Sequence, residues 1–251
     1  FYTNIGEAVS SVLGGLLAAV ALRLPFYVDV CFSLLLIPIA ISVVEPSRKK
    51  PSSAKGHFQK ILQTAKYSLK HAKIRTLIIF ASLLESATMI GIWSYYLYYE
   101  NLGISVAFYG VLFAGFSLFS ALGAKRAHKA EKKLGHKSLY ILILPGIFFL
   151  FLGLLESVFL IPLIFINGLV AGFSAPLFKD YINKQIKSHI RATVLSVTSM
   201  AGSLAFVIFS PLFGKLHDLF TLSLAYKCLG IAYILIALMS ISLMQKNKVL
   251  E

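Results

Sequence analysis

The chain has 251 residues, of which 58% are hydrophobic and 14% are charged, whereas a soluble domain is about a quarter charged. It carries 24 Lys and Arg against 10 Asp and Glu, and the basic residues lie in short segments between long apolar runs. This composition excludes a soluble globular domain and predicts an all-α polytopic membrane protein.

Eight apolar runs are each about 20 residues long, the length that a helix needs to cross the hydrocarbon core. Membrane strands are disfavoured, because the runs are continuous rather than alternating. The predicted membrane helices cover residues 4–22, 26–44, 74–98, 105–124, 138–155, 158–178, 192–214 and 223–244.

Lys and Arg are concentrated on one side of this predicted topology. The segments 45–75, 125–137 and 179–191 and the tail after Met244 hold 21 of them, whereas the opposite connections hold 2. By the positive-inside rule, the basic loops and the C-terminus are predicted to be cytoplasmic, in a plasma or inner membrane. This distribution accounts for the net charge of +14, so membrane lipid is an expected partner and nucleic acid is not.

The first predicted helix contains GEAVSSVLGG, in which Gly6, Ser10, Gly14 and Ala18 recur every four residues and form a smooth stripe. Such a stripe predicts close packing against another helix. The two cysteines, Cys31 and Cys228, fall inside apolar runs and are interpreted as small hydrophobic side chains in helices.

The longest connection, residues 45–73, begins as a Pro/Ser/Lys-rich linker and continues as an amphipathic pattern. Its predicted apolar face consists of Phe58, Ile61, Leu62, Ala65 and Leu69. We therefore expect a basic cytoplasmic linker with a surface helix, which separates two helices in residues 1–44 from six in residues 74–251.

Glu85 lies near the middle of the third predicted helix and is the leading candidate for a functional side chain. A charge at mid-helix costs about 2.5–3.5 kcal/mol on insertion scales, so an ionisable residue there is a default candidate for a functional role. The candidates that recur with it at helical spacing are Ser82, Met89, Trp93 and Tyr96. This face suits a cavity for an amphipathic or cationic solute, and the carboxylate is a candidate proton site. The alternative is that Glu85 only hydrogen-bonds a neighbouring Ser or backbone group.

Three further segments carry candidate residues. The loop AEKKLGHKS provides a charged turn formed by Glu131, Lys132, Lys133, Gly135, His136 and Lys137. Asn167 lies mid-span and either contacts solute or joins two helices. Residues 191–218 begin with an Arg, end with PLFGKLHD, and place Ser196, Ser199 and Ser203 on one face.

The loop at 130–138, the segment at 191–218 and the opening GEAVSSVLGG together resemble the major facilitator superfamily of secondary transporters. The opening stretch is similar to the fifth-span motif of the drug/proton antiporters, with Gly6, Gly14 and Gly15 in register and Ser10 and Ser11 replacing a Gly and a Pro. A general small-residue packing face explains these positions equally well.

The resemblance implies that residues 74–251 form a C-terminal six-helix bundle and that residues 1–44 are the last two helices of an N-terminal bundle. It also implies that the chain is a fragment and that it does not transport alone. The missing N-terminal helices are its expected partners. The implied function is proton-coupled alternating-access transport of a small molecule, with possible efflux. In the loop, the charges of Glu131 and its neighbours would pair with helix ends in one conformation and release in the other.

Two other classes of function are alternatives to a transporter. A membrane enzyme is disfavoured, because the six histidines are mostly in basic loops and none has metal-ligand spacing. No catalytic residue, metal ligand or cofactor site is therefore predicted. A non-transporting scaffold or sensor derived from a transporter remains the alternative.

Overall fold

The computed structural model describes residues 2–43, 63, 66–68, 70–186 and 190–247. These residues are helical, contain no strand, and include eight helices long and apolar enough to cross a membrane, which confirms the predicted fold class. The helices are α1 (Tyr2–Val20), α2 (Leu24–Ser42), α3 (Ala72–Asn101), α4 (Tyr109–Leu134), α5 (Leu144–Leu154), α6 (Ile161–Gln185), α7 (Arg191–Leu219) and α8 (Leu222–Lys246). Short 3₁₀ segments at Val106–Phe108, Gly135–Ile143 and Val158–Leu160 lead into α4, α5 and α6.

Two helices extend well beyond their predicted ends. Helix α4 continues from the predicted end at 124 to Leu134, and α6 continues from 178 to Gln185. The α4 extension contains the good helix formers Lys, Glu and Ala, and the α6 extension contains Lys and Gln. Helix α4 ends only where Gly135 adopts a φ of 54°. Hydropathy therefore located the membrane core but not the ends of the helices.

The predicted amphipathic face of the linker, from Phe58 to Leu69, lies outside the described residues. Whether residues 45–73 separate an N-terminal from a C-terminal bundle therefore stays a prediction.

Helices α4 and α6 run parallel and approach closely through glycines. A side chain on Gly172 would collide with the backbone carbonyl of Ser120, and one on Gly123 with that of Leu169. The pair ends at an ion pair in which Lys184 contacts Glu131 at 3.0 Å and Asp180 at 2.6 Å. We call this end of the bundle, where α4 ends beside Lys132, the basic end.

Helix α1 packs antiparallel to α4. The side-chain amide of Asn4 donates a 2.7 Å hydrogen bond to Ser120 Oγ, and further along Gly15 lies against Gly110. A side chain on Gly110 would collide with the carbonyl oxygen of Ser11. Asn4, Ser11 and Gly15 therefore mark the contact face of α1.

The predicted small-residue stripe lies beside that contact face rather than on it. A side chain added at Gly6 or Gly14 would meet no other atom of the described chain within 4 Å, and Ser10 is exposed. Of the four residues of the packing motif, only Gly15 touches another helix closely. Helix α2 has no buried residue and packs lightly on α1.

Candidate functional site

Two adjoining cavities lie between α1, α3, α4, α6 and α7. The larger has a volume of about 700 Å³, and we call it the aromatic compartment. Its side chains include Asn4, Glu7, Met89, Trp93, Tyr96, Phe113, Phe116, Ser120 and Lys179. The smaller, the polar compartment, has a volume of about 270 Å³, and its polar lining is Glu85, Thr88, Ser174, Lys179, Thr198 and Ser199.

The relative heights of these residues follow from one buried contact between α3 and α6. Asn167 donates a side-chain hydrogen bond to the hydroxyl of Tyr95, and both residues are buried. Glu85 precedes Tyr95 by ten residues on α3, and Lys179 follows Asn167 by twelve on the oppositely directed α6. At 1.5 Å per residue, Glu85 lies about 15 Å and Lys179 about 18 Å from this contact, both toward the basic end. The two charged residues are therefore at nearly the same depth.

Glu85 reaches the polar compartment from α3 and lies against α7. A side chain on the buried Gly202 would come within 2.8 Å of Glu85 Oε2, so the missing side chain of this glycine makes room for the carboxylate. The positive charge of Lys179 acts on Glu85, although the two described side chains are not in salt-bridge contact. Glu85 is thus exposed and contributes to the lining of the compartment.

Lys179 was missed as a site residue, because the sequence placed it in a basic loop that begins at 179. In the structure it lies within α6, nearly two turns before the helix ends at Gln185. It lines both compartments, as do Ala171 and Ala175 at positions i−8 and i−4 of the same face. The signal that would have found it is this four-residue spacing, continued one step past the apolar run.

Glu7 is the second acidic residue of the site, and sequence analysis did not select it. It lines the aromatic compartment from α1 and follows Asn4 by one helical turn. The side chain of Asn4 is hydrogen-bonded to Ser120. Gly172 of α6 lies at the same level as Ser120, and Lys179 is seven residues further toward the basic end. Glu7 and Lys179 are therefore about 15 Å apart along the bundle axis, at 1.5 Å per residue.

The aromatic residues predicted on α3 line the larger compartment. Trp93 is 61% exposed and Met89 is 42% exposed, and both line this cavity. The rings of Trp93 and Tyr96 are 6.4 Å apart, and Tyr96 also contacts Tyr109 of α4 at 5.8 Å. Together these residues form an apolar wall with hydroxyl groups at its edge.

The other predicted residues occupy different places. Ser199 lines the polar compartment, whereas the exposed Ser203 lines neither of the two cavities described above. Ser82 is buried and donates to the backbone carbonyl of Thr198 at 3.2 Å, so it joins α3 to α7. Asn167 is 2% exposed and joins α6 to α3 through Tyr95, so it lies behind the wall of the cavity.

The charged turn at 130–138 lies at the basic end, away from both compartments. Gly135 supplies the positive φ that ends α4, and Lys132, Lys133 and Lys137 are exposed. Glu131 is the residue of this turn that pairs with another helix, through Lys184 of α6. The side chain of His136 lies outside the described part of the structure.

Comparison with known families decides the class of protein. Residues 2–210 and, in a second overlapping match, residues 75–249 fit the family profile described as Major Facilitator Superfamily. The chain belongs to the Major Facilitator Superfamily. No curated protein matches it. As a member of this superfamily, the chain is a multi-pass membrane protein of the class that carries small solutes, and the two compartments are its candidate solute site.

Proposed function

We propose that this protein carries a small organic solute across the membrane by alternating access, with Glu85 as the proton-binding site. The aromatic compartment holds the body of the solute, and the polar compartment couples its movement to the proton. The observation that carries the proposal is the position of Glu85, near the middle of an apolar helix and open to a cavity.

Helix packing does not account for an ionisable residue at position 85. Ser82, one turn away, already makes the hydrogen bond that joins α3 to α7, so Glu85 is not needed for that contact. An ionisable group inside a membrane span costs free energy and normally marks a solute or proton pathway. A carboxylate in a narrow polar compartment, with space made for it by Gly202, is suited to that role.

We further propose that the basic end is cytoplasmic in a plasma or inner membrane, since most Lys and Arg of the chain are predicted there. We also propose that α1 and α2 are the last helices of a first bundle. In support, Val9, Leu13 and Leu16 are more than half exposed and α2 buries no residue, so both helices offer apolar surface for further packing. Export is proposed only from the likeness of residues 6–15 to the antiporter motif.

The first test is transport by the native full-length product of the reading frame. Membrane vesicles of both orientations are energised with a pH gradient and given a mixture of aromatic acids, amines and amides, whose accumulation is measured by mass spectrometry. We expect the unmodified protein to accumulate at least one compound in response to the gradient. Glu85→Gln is expected to abolish gradient-driven accumulation, because an amide cannot take up and release the proton, while exchange down the solute's own gradient continues.

Glu100→Gln is the matched control, since Glu100 lies on the same helix at its far end and outside both compartments. It is expected to behave like the unmodified protein. Full pH-gradient-driven accumulation by Glu85→Gln would show that Glu85 is structural and would overturn the proposal. Comparison of the two vesicle orientations tests the direction of transport separately.

A further inference from the structure

We infer that Lys179 binds an acidic group of the solute, so that the solute carries an anionic group at one end and an apolar, preferably aromatic, body at the other. This inference rests on the proposed function and names the chemical class of its substrate.

Lys179 is placed to act on both compartments. It is the one cationic side chain among the described residues that line them, and it belongs to each. Since it makes no salt bridge with either Glu7 or Glu85, its ammonium group is available to an anionic ligand. A hydrogen bond between charged partners is roughly twice as strong as one between neutral partners, so Lys179 selects for an acidic group.

Glu85 is the internal competitor for that ammonium group. It faces Lys179 at nearly the same depth, and α7 contributes to the same compartment only the uncharged Leu195, Thr198 and Ser199. An ionised Glu85 attracts Lys179, whereas a protonated Glu85 leaves it to the solute. A proton on Glu85 and an acid on Lys179 therefore favour each other, which is the coupling sense of a symporter. In a symporter the acid and the proton cross in the same direction, whereas the antiporter likeness of residues 6–15 predicts opposite directions. The comparison of the two vesicle orientations distinguishes these cases.

The aromatic wall fixes where the body of the solute lies. Trp93 is eight residues beyond Glu85 on α3, or about 12 Å further from the basic end at 1.5 Å per residue. Glu7 stands on that side of the cavity and repels an acidic group, so the acid is directed toward Lys179. On the same scale Lys179 is about 15 Å from Trp93, a separation that the two side chains and a ring joined to a carboxylate by a short chain together span.

The test uses Trp93, which is the only tryptophan of the 251-residue chain and lines the aromatic compartment. The purified chain in lipid nanodiscs is titrated with 4-phenylbutyrate, its neutral isostere 4-phenylbutyramide and the cation 4-phenylbutylamine, and Trp93 emission gives the half-saturation concentration of each. We expect 4-phenylbutyrate to bind more tightly than the amide. Lys179→Gln is expected to weaken 4-phenylbutyrate about ten-fold or more and to leave the amide within about two-fold.

Two further variants make the result specific. Lys179→Arg keeps the charge and is expected to retain most of the preference for 4-phenylbutyrate over the amide. Glu85→Gln mimics the protonated acid and is expected to tighten 4-phenylbutyrate several-fold without changing the amide. Binding of the amide by Lys179→Gln serves as the evidence that this variant is folded.

Three outcomes would overturn the inference: equal binding of 4-phenylbutyrate before and after Lys179→Gln, tighter binding of the amine than of the acid, or no emission change with 4-phenylbutyrate. None of these touches the proposed function, which the vesicle assay of Glu85→Gln tests separately. Conversely, a Lys179-dependent preference for the acid together with unimpaired proton coupling in Glu85→Gln would refute the proton role of Glu85 alone.

Discussion

At the scale of single residues, the site consists of three charges that line a cavity without forming salt bridges to one another. Glu7, Glu85 and Lys179 come from three different helices, and the carboxylates lie at different depths. Fixed salt bridges would neutralise such charges permanently and close the space between the helices. Charges left open to a cavity can instead exchange partners, as the binding and release of a proton or solute require.

Gly202 tests whether the position of the Glu85 carboxylate matters. An added methyl group would lie 2.8 Å from Oε2, and the flexible carboxylate can move away without disturbing the backbone. We therefore expect Gly202→Ala to leave thermal stability nearly unchanged but to reduce pH-gradient-driven transport on the order of ten-fold, or about 1.4 kcal/mol. Vesicle transport and thermal unfolding of the same preparations measure the two effects.

Gly214→Ala is the matched control, because Gly214 lies on the same helix and a side chain there would meet no atom within 4 Å. It is expected to change neither quantity. Equal transport by the two alanine variants would contradict the role assigned to the space beside Glu85.

Some of this site could be predicted from the sequence and some could not. Glu85 stands out because a charge inside an apolar run is rare, and Met89, Trp93 and Tyr96 follow from helical spacing. Lys179 does not stand out, since a lysine at the edge of an apolar run is expected in any cytoplasmic loop. Asn167 and Ser82 were predicted as candidates of the cavity, but each donates a hydrogen bond that joins two helices, and the buried Oδ1 of Asn167 has no partner among the described residues.

At the scale of helices, the contact between α1 and α4 shows how small residues set the packing. Helical periodicity predicts a smooth stripe through Gly6, Ser10 and Gly14, yet the contact falls on the adjacent face that contains Ser11 and Gly15. The sequence contains small residues on both faces, so periodicity alone cannot choose between them. The choice depends on the partner, because Gly110 of α4 allows the backbones to meet only at Ser11 and Gly15.

Gly110→Ala is predicted to destabilise this contact. Its methyl group would collide with the carbonyl oxygen of Ser11, which is backbone and cannot move aside without displacing α1. Overpacking of this kind costs about 1–3 kcal/mol, so we expect a lower midpoint of thermal unfolding in detergent. In Gly14→Ala, by contrast, the added methyl group is free of contacts and the midpoint is expected to stay the same or rise slightly. Equal losses in the two variants would contradict the assignment of the contact face.

At the scale of the whole molecule, the membrane fixes most of the architecture. Eight helices, their order and their all-α character follow from hydropathy, since a backbone in lipid must satisfy its own hydrogen bonds. The ends of α4 and α6 depend instead on helix propensity outside the lipid, and this difference decides where Lys179 lies. The packing of five helices around the compartments depends on contacts between residues far apart in the sequence, which no single apolar run contains.

The most direct test of the account is the number of protons taken up when an acidic solute binds. The purified chain is mixed with 4-phenylbutyrate in weakly buffered solution near neutral pH, and a pH indicator records the proton uptake. We predict that the unmodified chain takes up protons on binding, because the acid offsets the positive charge of Lys179 that favours ionised Glu85. Glu85→Gln is predicted to bind the probe without taking up protons. Binding without proton uptake by the unmodified chain, or equal uptake by Glu85→Gln, would contradict the coupling of Glu85 and Lys179.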